Sequence, residues 1–294
     1  MAKYRDSFKN YGVYSKVTDV TLASPGEIAE ARGALYYGFI NRLFLHVAEG
    51  VDPRSWSEFQ FIDAVGLTMP GVAVIHGIPL TPDDFEIMAG AGMYLIWSPK
   101  SNLVLYGETA DVVAALDAGV PVALGPDWSI SGSDNLLEEL KVAYEYSVEQ
   151  LGGAITPKQL FKMATCDAAL VGGVNDQLGS IEAGLEADLF LAPKFDPDPH
   201  RSLLKTYPKD IDLVLIDGAP VCGSPELMQL WISPIYLDEI TVNHRKKMFY
   251  RDWKPFALVV DELTSVLGEM APLVEDEPES KPGFRRNLPK ARKK

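Results

Sequence analysis

Four polar side chains stand where apolar runs of the sequence end: His46 and Glu49 after 42-RLFL, His76 after 72-VAVI, and Asp127 after 120-VPVALGP. Neutral imidazole binds Zn²⁺ and aspartate offers a hard oxygen ligand. A glutamate three residues beyond a ligand can move protons for a water that the metal polarises. The chain has only four histidines, and two of them occupy such positions. A polar side chain at the end of a buried run must find a partner, so these residues are functional candidates together more than singly. Each has an ordinary alternative. A strand-end histidine can be a hydrogen-bonded structural residue, Asp127 can cap the turn before Trp128 and Ser129, and Glu49, followed by Gly50, can be a solvated loop carboxylate.

The elements that would hold these residues repeat one plan between Arg42 and Asp127. A short apolar run is followed by a polar loop, an amphipathic stretch and the next apolar run: 42-RLFLHVAEG, 72-VAVIHGIPL, 92-GMYLIWSPKSN, 120-VPVALGPDWS. Runs of this kind are the pattern of parallel strands buried on both faces, and the step of about 27 residues per unit suits a (β/α) barrel. In such a barrel the loops after the strands converge on one face, where all four candidates fall. A doubly wound sheet tolerates the same step, but no GxGxxG follows any of the runs. Thr81-Pro82-Asp83-Asp84 predicts a helix to about Ala91, and Glu108 to Ala118 predicts another ended by Gly119. Ser133-Asp134-Asn135 caps a long helix, LLEELKVAYEYSVEQL, and Thr156-Pro157 opens a further one, KQLFKMATCDAALVGG. The motif 98-SPKSN reads as a turn held by its Ser and Asn side chains or as a substrate contact, and Gly125 and Gly132 serve backbone geometry. The segments 186-EADLFLA and 211-IDLVLIDGAPVCG then change period to short strands. The expected divisions are 1–178 for a partial barrel, 179–235 for a small β-sandwich segment, and 236–294 for a C-terminal helix, FALVVDELTSVLGEM, with a charged, disordered tail.

Composition narrows the function. The 294 residues are 47% hydrophobic and 23% charged, as in a globular protein, and the net charge of −14 works against nucleic acid and anionic membranes. Two cysteines without CxxC spacing suggest a reducing compartment, and the absence of an apolar leader suggests the cytoplasm. Cys166 reads as helix packing, and His200 and His244 as surface residues. Trp56, Trp97, Tyr106 and Trp128 could stack a planar ring or serve as plain packing. No GxSxG and no P-loop occur.

The ordered series HVAE at 46–49, HG-x-x-L at 76–80, SPKSN at 98–102, LGPDWSISGSDN at 124–135, LFKMAT at 160–165 and GSIEAGLEADLFL at 179–191 resembles the amidohydrolase superfamily. The branch it resembles contains guanine, adenosine-derivative and cytosine-type deaminases, triazine chlorohydrolases and imidazolonepropionase-like enzymes. The resemblance implies an α/β, TIM-like barrel with one divalent metal, zinc or iron, that activates water to hydrolyse a carbon–nitrogen bond of a small, cyclic substrate. It implies that His46 and Asp127 are metal ligands and that Glu49, His76 and Asp127 are catalytic. Ser101 and Asn102 match the family's loop after its seventh strand, and together with the loop aromatic Trp128 they are the expected substrate contacts. The family's HxH ligand pair has no counterpart here, because no histidine precedes His46, and 45 residues are too few for four strand-helix units. The chain is therefore expected to carry strands five to eight only, with the first of them on an open edge. A second chain bringing the other half-barrel, or a homo-oligomer, would complete the site. The competing reading is a metal-free half-barrel that acts as a scaffold.

Overall fold

The computed structural model describes residues 24–251 together with Val13–Tyr14, Leu258 and Ser265. It divides into two units, one through Glu182 and one from Ala183 onwards. The first unit is built on five parallel strands in the order β1-β2-β3-β4-β5: β1 (Val13–Tyr14), β2 (Arg42–Val47), β3 (Val72–His76), β4 (Tyr94–Trp97) and β5 (Val122–Leu124). Helices alternate with them: α1 (Pro25–Tyr36), α2 (Pro53–Ala64), α3 (Pro82–Gly90), α4 (Pro99–Tyr106) and α5 (Val112–Asp117). After β5 come α6 (Leu136–Gln150), α7 (Pro157–Met163) and α8 (Cys166–Gly172). The chain's prolines mark these starts. Pro25, Pro53, Pro82, Pro99 and Pro157 each open a helix, where a fixed φ helps and the missing N–H costs nothing. Ser24, Thr81 and Thr156 close reciprocal capping boxes with Glu27, Asp84 and Gln159.

The strands bury both faces, as the continuous apolar runs require. One face carries Leu43, Leu45, Val47, Val72, Val74, Leu95 and Trp97, all buried. On the other, Ala73 and Ala123 pack with Val171 of α8, joined by Phe44, Tyr94, Ile96 and Ala168. Arg42 fastens α8 there: its guanidinium donates to the carbonyls of Leu170 and Val171 at 2.8 and 3.0 Å, and lies 4.6 Å from the Tyr94 ring centre. A cation at unsatisfied helix-end carbonyls is favourable for both charge and hydrogen bonding.

Several expectations are corrected. β2 is not a bare edge, since β1 pairs with Arg42 and Leu43, although among the described residues 44–47 have no strand beyond them. The single helix expected after Thr156 is two, broken at Thr165, whose φ of −132° and ψ of −101° are not helical. SPKSN is not a turn but the start of α4, and the helix expected from Glu108 begins only at Val112, capped by Asp111.

The second unit is one antiparallel sheet, in the order β6-β7-β8-β10-β9, of β6 (Leu189–Leu191), β7 (Leu213–Ile216), β8 (Ala219–Gly223), β9 (Leu237–Val242) and β10 (Arg245–Tyr250). Helices α9 (Pro199–Leu203) and α10 (Pro225–Trp231) accompany it, and Met228 of α10 packs with Leu213 and Leu237. The described residues form this one sheet rather than a two-sheet sandwich. It also runs to Tyr250, past the boundary expected at 235, through a hairpin turned at Asn243 and His244, both at positive φ. The expected helix 256–270 and the charged tail lie outside the described residues except for Leu258 and Ser265, both helical. Among the described residues no helix is long and apolar enough to cross a membrane.

One buried carboxylate ties the first unit together. Glu139 of α6 is fully buried and accepts from the Lys100 backbone N–H at 3.1 Å and from the Ser133 hydroxyl, linking the start of α4 to the loop after β5. Burial pushes its carboxyl up to about 7, against the opposing pull of the Ser133 and Lys100 hydrogen bonds. The folded protein then holds a proton that the unfolded chain, with an ordinary value of 4.5, releases earlier. Stability should therefore fall as pH rises from about 4.5 to about 7, by a total on the order of 3 kcal/mol. Glutamine copies the protonated acid, accepting from Lys100 and donating to Ser133. Glu139→Gln should match the wild type at pH 5 and exceed it at pH 8 in urea midpoint; parallel curves for the two proteins would contradict this.

Candidate functional site

The C-terminal ends of β2 and β3 bring His46, Glu49 and His76 together. One ligand-capable atom from each lies within 4.8 Å of the others, and the two imidazole rings are 5.2 Å apart, centre to centre. His46 follows from strand alternation, sharing a face of β2 with Phe44. His76 does not. Alternation would put it on the face of Val72 and Val74, but its φ of +76° turns the backbone at the last strand residue. Ala48, with φ +57°, and Asp127, with φ +60°, are bent in the same way after β2 and β5. Non-glycine residues in this region cost about 1 to 3 kcal/mol each, and the cost recurs at three strand ends on one face. The surroundings hold Ala48 in place: its N–H donates to Glu58 of α2 at 2.8 Å, and its carbonyl accepts from Ile78 at 2.9 Å.

His76 is buried, and its Nδ1 lies 2.8 Å from Asn102 Oδ1. A carboxamide oxygen only accepts, so Nδ1 donates to it, and in the neutral ring Nε2 then presents a lone pair. Asn102 is fixed in turn, donating through Nδ2 to Thr109 Oγ1 at 3.0 Å, and Trp97 Nε1 donates to the same oxygen at 2.8 Å. His76 Nε2 stands 3.5 Å from Glu49 Oε2. Two ligand atoms bound tetrahedrally at roughly 2.0–2.2 Å are separated by about 3.3–3.6 Å, so this spacing suits a small divalent ion. Two imidazoles and a carboxylate, one imidazole held by its second nitrogen, form a donor set that fits zinc. The other Glu49 oxygen accepts from the Tyr106 hydroxyl at 3.0 Å. Burial, followed by the Glu49 charge, pushes the Tyr106 phenol up to about 12, and the charge of Asp127 adds to the same effect.

The other expected site residues are distributed differently. Asp127 is exposed on the loop after β5 and is not one of the three clustered residues. That loop folds tightly on itself: Ser133 N–H donates to the Pro126 carbonyl, and a Cβ at Gly132 would sit 1.9 Å from that oxygen. Gly125 is similarly confined, by Ile96 at 2.8 Å. Trp128 is 67% exposed. Ser101 and Asn102 are fully buried, with Ser101 Oγ 3.4 Å from Ser131 Oγ and both ends of the Asn102 amide engaged within the protein. Sequence reasoning gave Tyr106 only a packing or stacking role, and it passed over Thr109 and Glu58. The signal available for Tyr106 was its place four residues after Asn102, which only a helix turns into a shared face.

A model of the amidohydrolase family matches residues 22–221. A 5-methylthioadenosine/S-adenosylhomocysteine deaminase of Desulforudis audaxviator is 32% identical over 172 residues, covering 55% of this chain and 40% of the relative. Among solved structures, an adenosine deaminase from Xanthomonas campestris with bound zinc superposes with a TM-score of 0.65 at 22% identity, covering 71% of this chain and 51% of that one. A guanine deaminase of E. coli gives 0.61 at 23% identity, covering 71% and 54%. The chain spans about half the length of these relatives, and the structural likeness establishes a shared fold.

Truncating Asn102 isolates the role of its amide. Asn102→Ala leaves the His76 Nδ1–H buried without its acceptor, and should lower unfolding free energy by about 1–3 kcal/mol in urea titrations. A loss below a few tenths would mean that the amide does not hold the ring.

Proposed function

The chain belongs to the amidohydrolase family, and from that premise we propose that it supplies the proton-transfer side of a metal-dependent hydrolase that cleaves a carbon–nitrogen bond of a small planar substrate. The observation that carries this reading is the meeting of His46, Glu49 and His76 at the strand ends, with ligand atoms within 4.8 Å. In this reading a divalent metal, zinc or iron, is held by His46 and by Asp127 of the loop after β5, while Glu49 and His76, which could also donate to it, act instead on the water beside it. When bound, the metal lowers the pKa of water and polarises the bond under attack.

The remaining steps belong to the chain's own side chains. Glu49 takes a proton from the attacking water at Oε2 and delivers it to the leaving nitrogen, so that ammonia or an amine departs neutral. His76, as the neutral Nδ1–H form that Asn102 favours, accepts a hydrogen bond at Nε2 and so orients the water. Ser101 and Asn102, both buried, support the site from within the protein, and Trp128, exposed on a glycine-bearing loop, offers a ring for stacking. The relatives' names favour an aminopurine nucleoside as substrate. Because the chain spans about half of those relatives, a second chain bearing further ligands, or a second copy of this one, would complete the enclosure. The charge of −14 keeps nucleic acid and membranes out of this reading, and composition favours the cytoplasm. A metal-free scaffold has no comparable observation in its favour.

The test is to load the chain with zinc and measure both metal content and ammonia released from 5′-methylthioadenosine. His46→Ala should abolish tight zinc binding with circular dichroism unchanged. Glu49→Gln should keep the metal and lose at least about 100-fold in kcat, the contribution typical of a general acid–base. Zinc retained by His46→Ala, or full turnover by Glu49→Gln, would overturn the assignment.

A further inference from the structure

Helix α4 reaches both partners of the cluster from one face. Asn102 and Tyr106 are four residues apart, so their side chains project in the same direction, one turn from each other. Asn102 holds His76 at Nδ1 with 2.8 Å, and Tyr106 holds Glu49 at Oε1 with 3.0 Å. His76 Nε2 and Glu49 Oε2 then face each other at 3.5 Å, which closes a ring Asn102, His76, Glu49, Tyr106 across β3, the loop after β2, and α4. Val104 and Leu105, on the remaining arc of the helix, are about half exposed. The helix ends one residue beyond Tyr106, at Gly107, whose φ of +73° lets the chain turn back so that Thr109 can brace Asn102.

We infer that Tyr106 is a positioning residue for Glu49, fixing which carboxylate oxygen faces the reacting atoms. The inference rests on the reading of Glu49 as the proton carrier. A glutamate on a loop has three rotatable bonds and two equivalent oxygens, so an unrestrained carboxylate would spend much of its time with neither oxygen aimed inward. The phenol occupies Oε1 and leaves Oε2 as the oxygen beside His76. Tyrosine suits the task because its ring is rigid, with two torsions, and its hydroxyl projects beyond the helix by the length of the ring. The phenol has one O–H to donate, and Oε1 receives it at 3.0 Å.

Two readouts on the full chain test this. In protein labelled with ¹³C at glutamate Cδ, the Glu49 signal is assigned by its loss in Glu49→Gln. Tyr106→Phe should shift that signal and leave the other glutamates in place, since only one hydroxyl is removed and the ring still packs. In turnover of 5′-methylthioadenosine, Tyr106→Phe should lower kcat about tenfold with KM nearly unchanged, and should add nothing in the Glu49→Gln background, as two residues acting through one step require. A Glu49 signal unmoved by Tyr106→Phe, or an additive loss in the double variant, overturns the inference. A shifted signal in a chain that releases no ammonia at all supports the positioning contact and sinks the proposed function instead.

Discussion

The hydrogen bond between Asn102 and His76 governs the chemistry available at the end of the parallel sheet. Because a carboxamide oxygen cannot donate, it takes a proton at Nδ1 of His76, and the neutral ring then turns the lone pair of Nε2 towards Glu49. Without that constraint the neutral ring could present an N–H to Glu49 instead. The amide is held from its other end: Thr109 receives both the Asn102 Nδ2–H and the Trp97 indole N–H, and Trp97 is fully buried at the end of β4. The group that faces His76 Nδ1 is thus anchored in the core of the sheet.

The backbone around the site carries a matching cost. Ala48, His76 and Asp127 adopt left-handed conformations at the ends of β2, β3 and β5, where the chain leaves the sheet. Strain of this kind persists only when neighbours enforce it, and the neighbours are identifiable: Glu58 and Ile78 at Ala48, Asn102 at His76, and the folded loop from Pro126 to Ser133 after Asp127. Helix α4 is central to this support. Its start is bound to Glu139, its middle to His76 and its end to Glu49, so one short helix links the loop after β5 to the residues that follow β2 and β3.

Much of this was legible in the residues. Apolar runs ending in His46, His76 and Asp127 gave the parallel strands and the face on which polar groups gather, because burial on both faces writes a continuous signal. Proline and Ser or Thr pairs gave most helix starts. What stayed hidden depends on contacts between segments distant in sequence. SPKSN looks like a turn until Pro99 is seen to open a helix, and only that helix brings Asn102 and Tyr106 into register. The break at Thr165 and the strands at 237–250 were missed because local composition there favours other states, a helix through LFKMATCDAAL and charged coil around HRKK, and tertiary pairing decides otherwise. The positive φ of His76 has no sequence signal beyond the glycine that follows it.

The account rests on the protonation pattern of one imidazole. Long-range ¹H–¹⁵N correlation spectra of the histidine side chains at pH 8, with His76 assigned by His76→Gln, report that pattern directly and need neither substrate nor metal. The contact with Asn102 predicts that the neutral ring carries its proton at Nδ1, with Nε2 bare. A ring protonated at Nε2 would place a donor where the site requires an acceptor, and would contradict it.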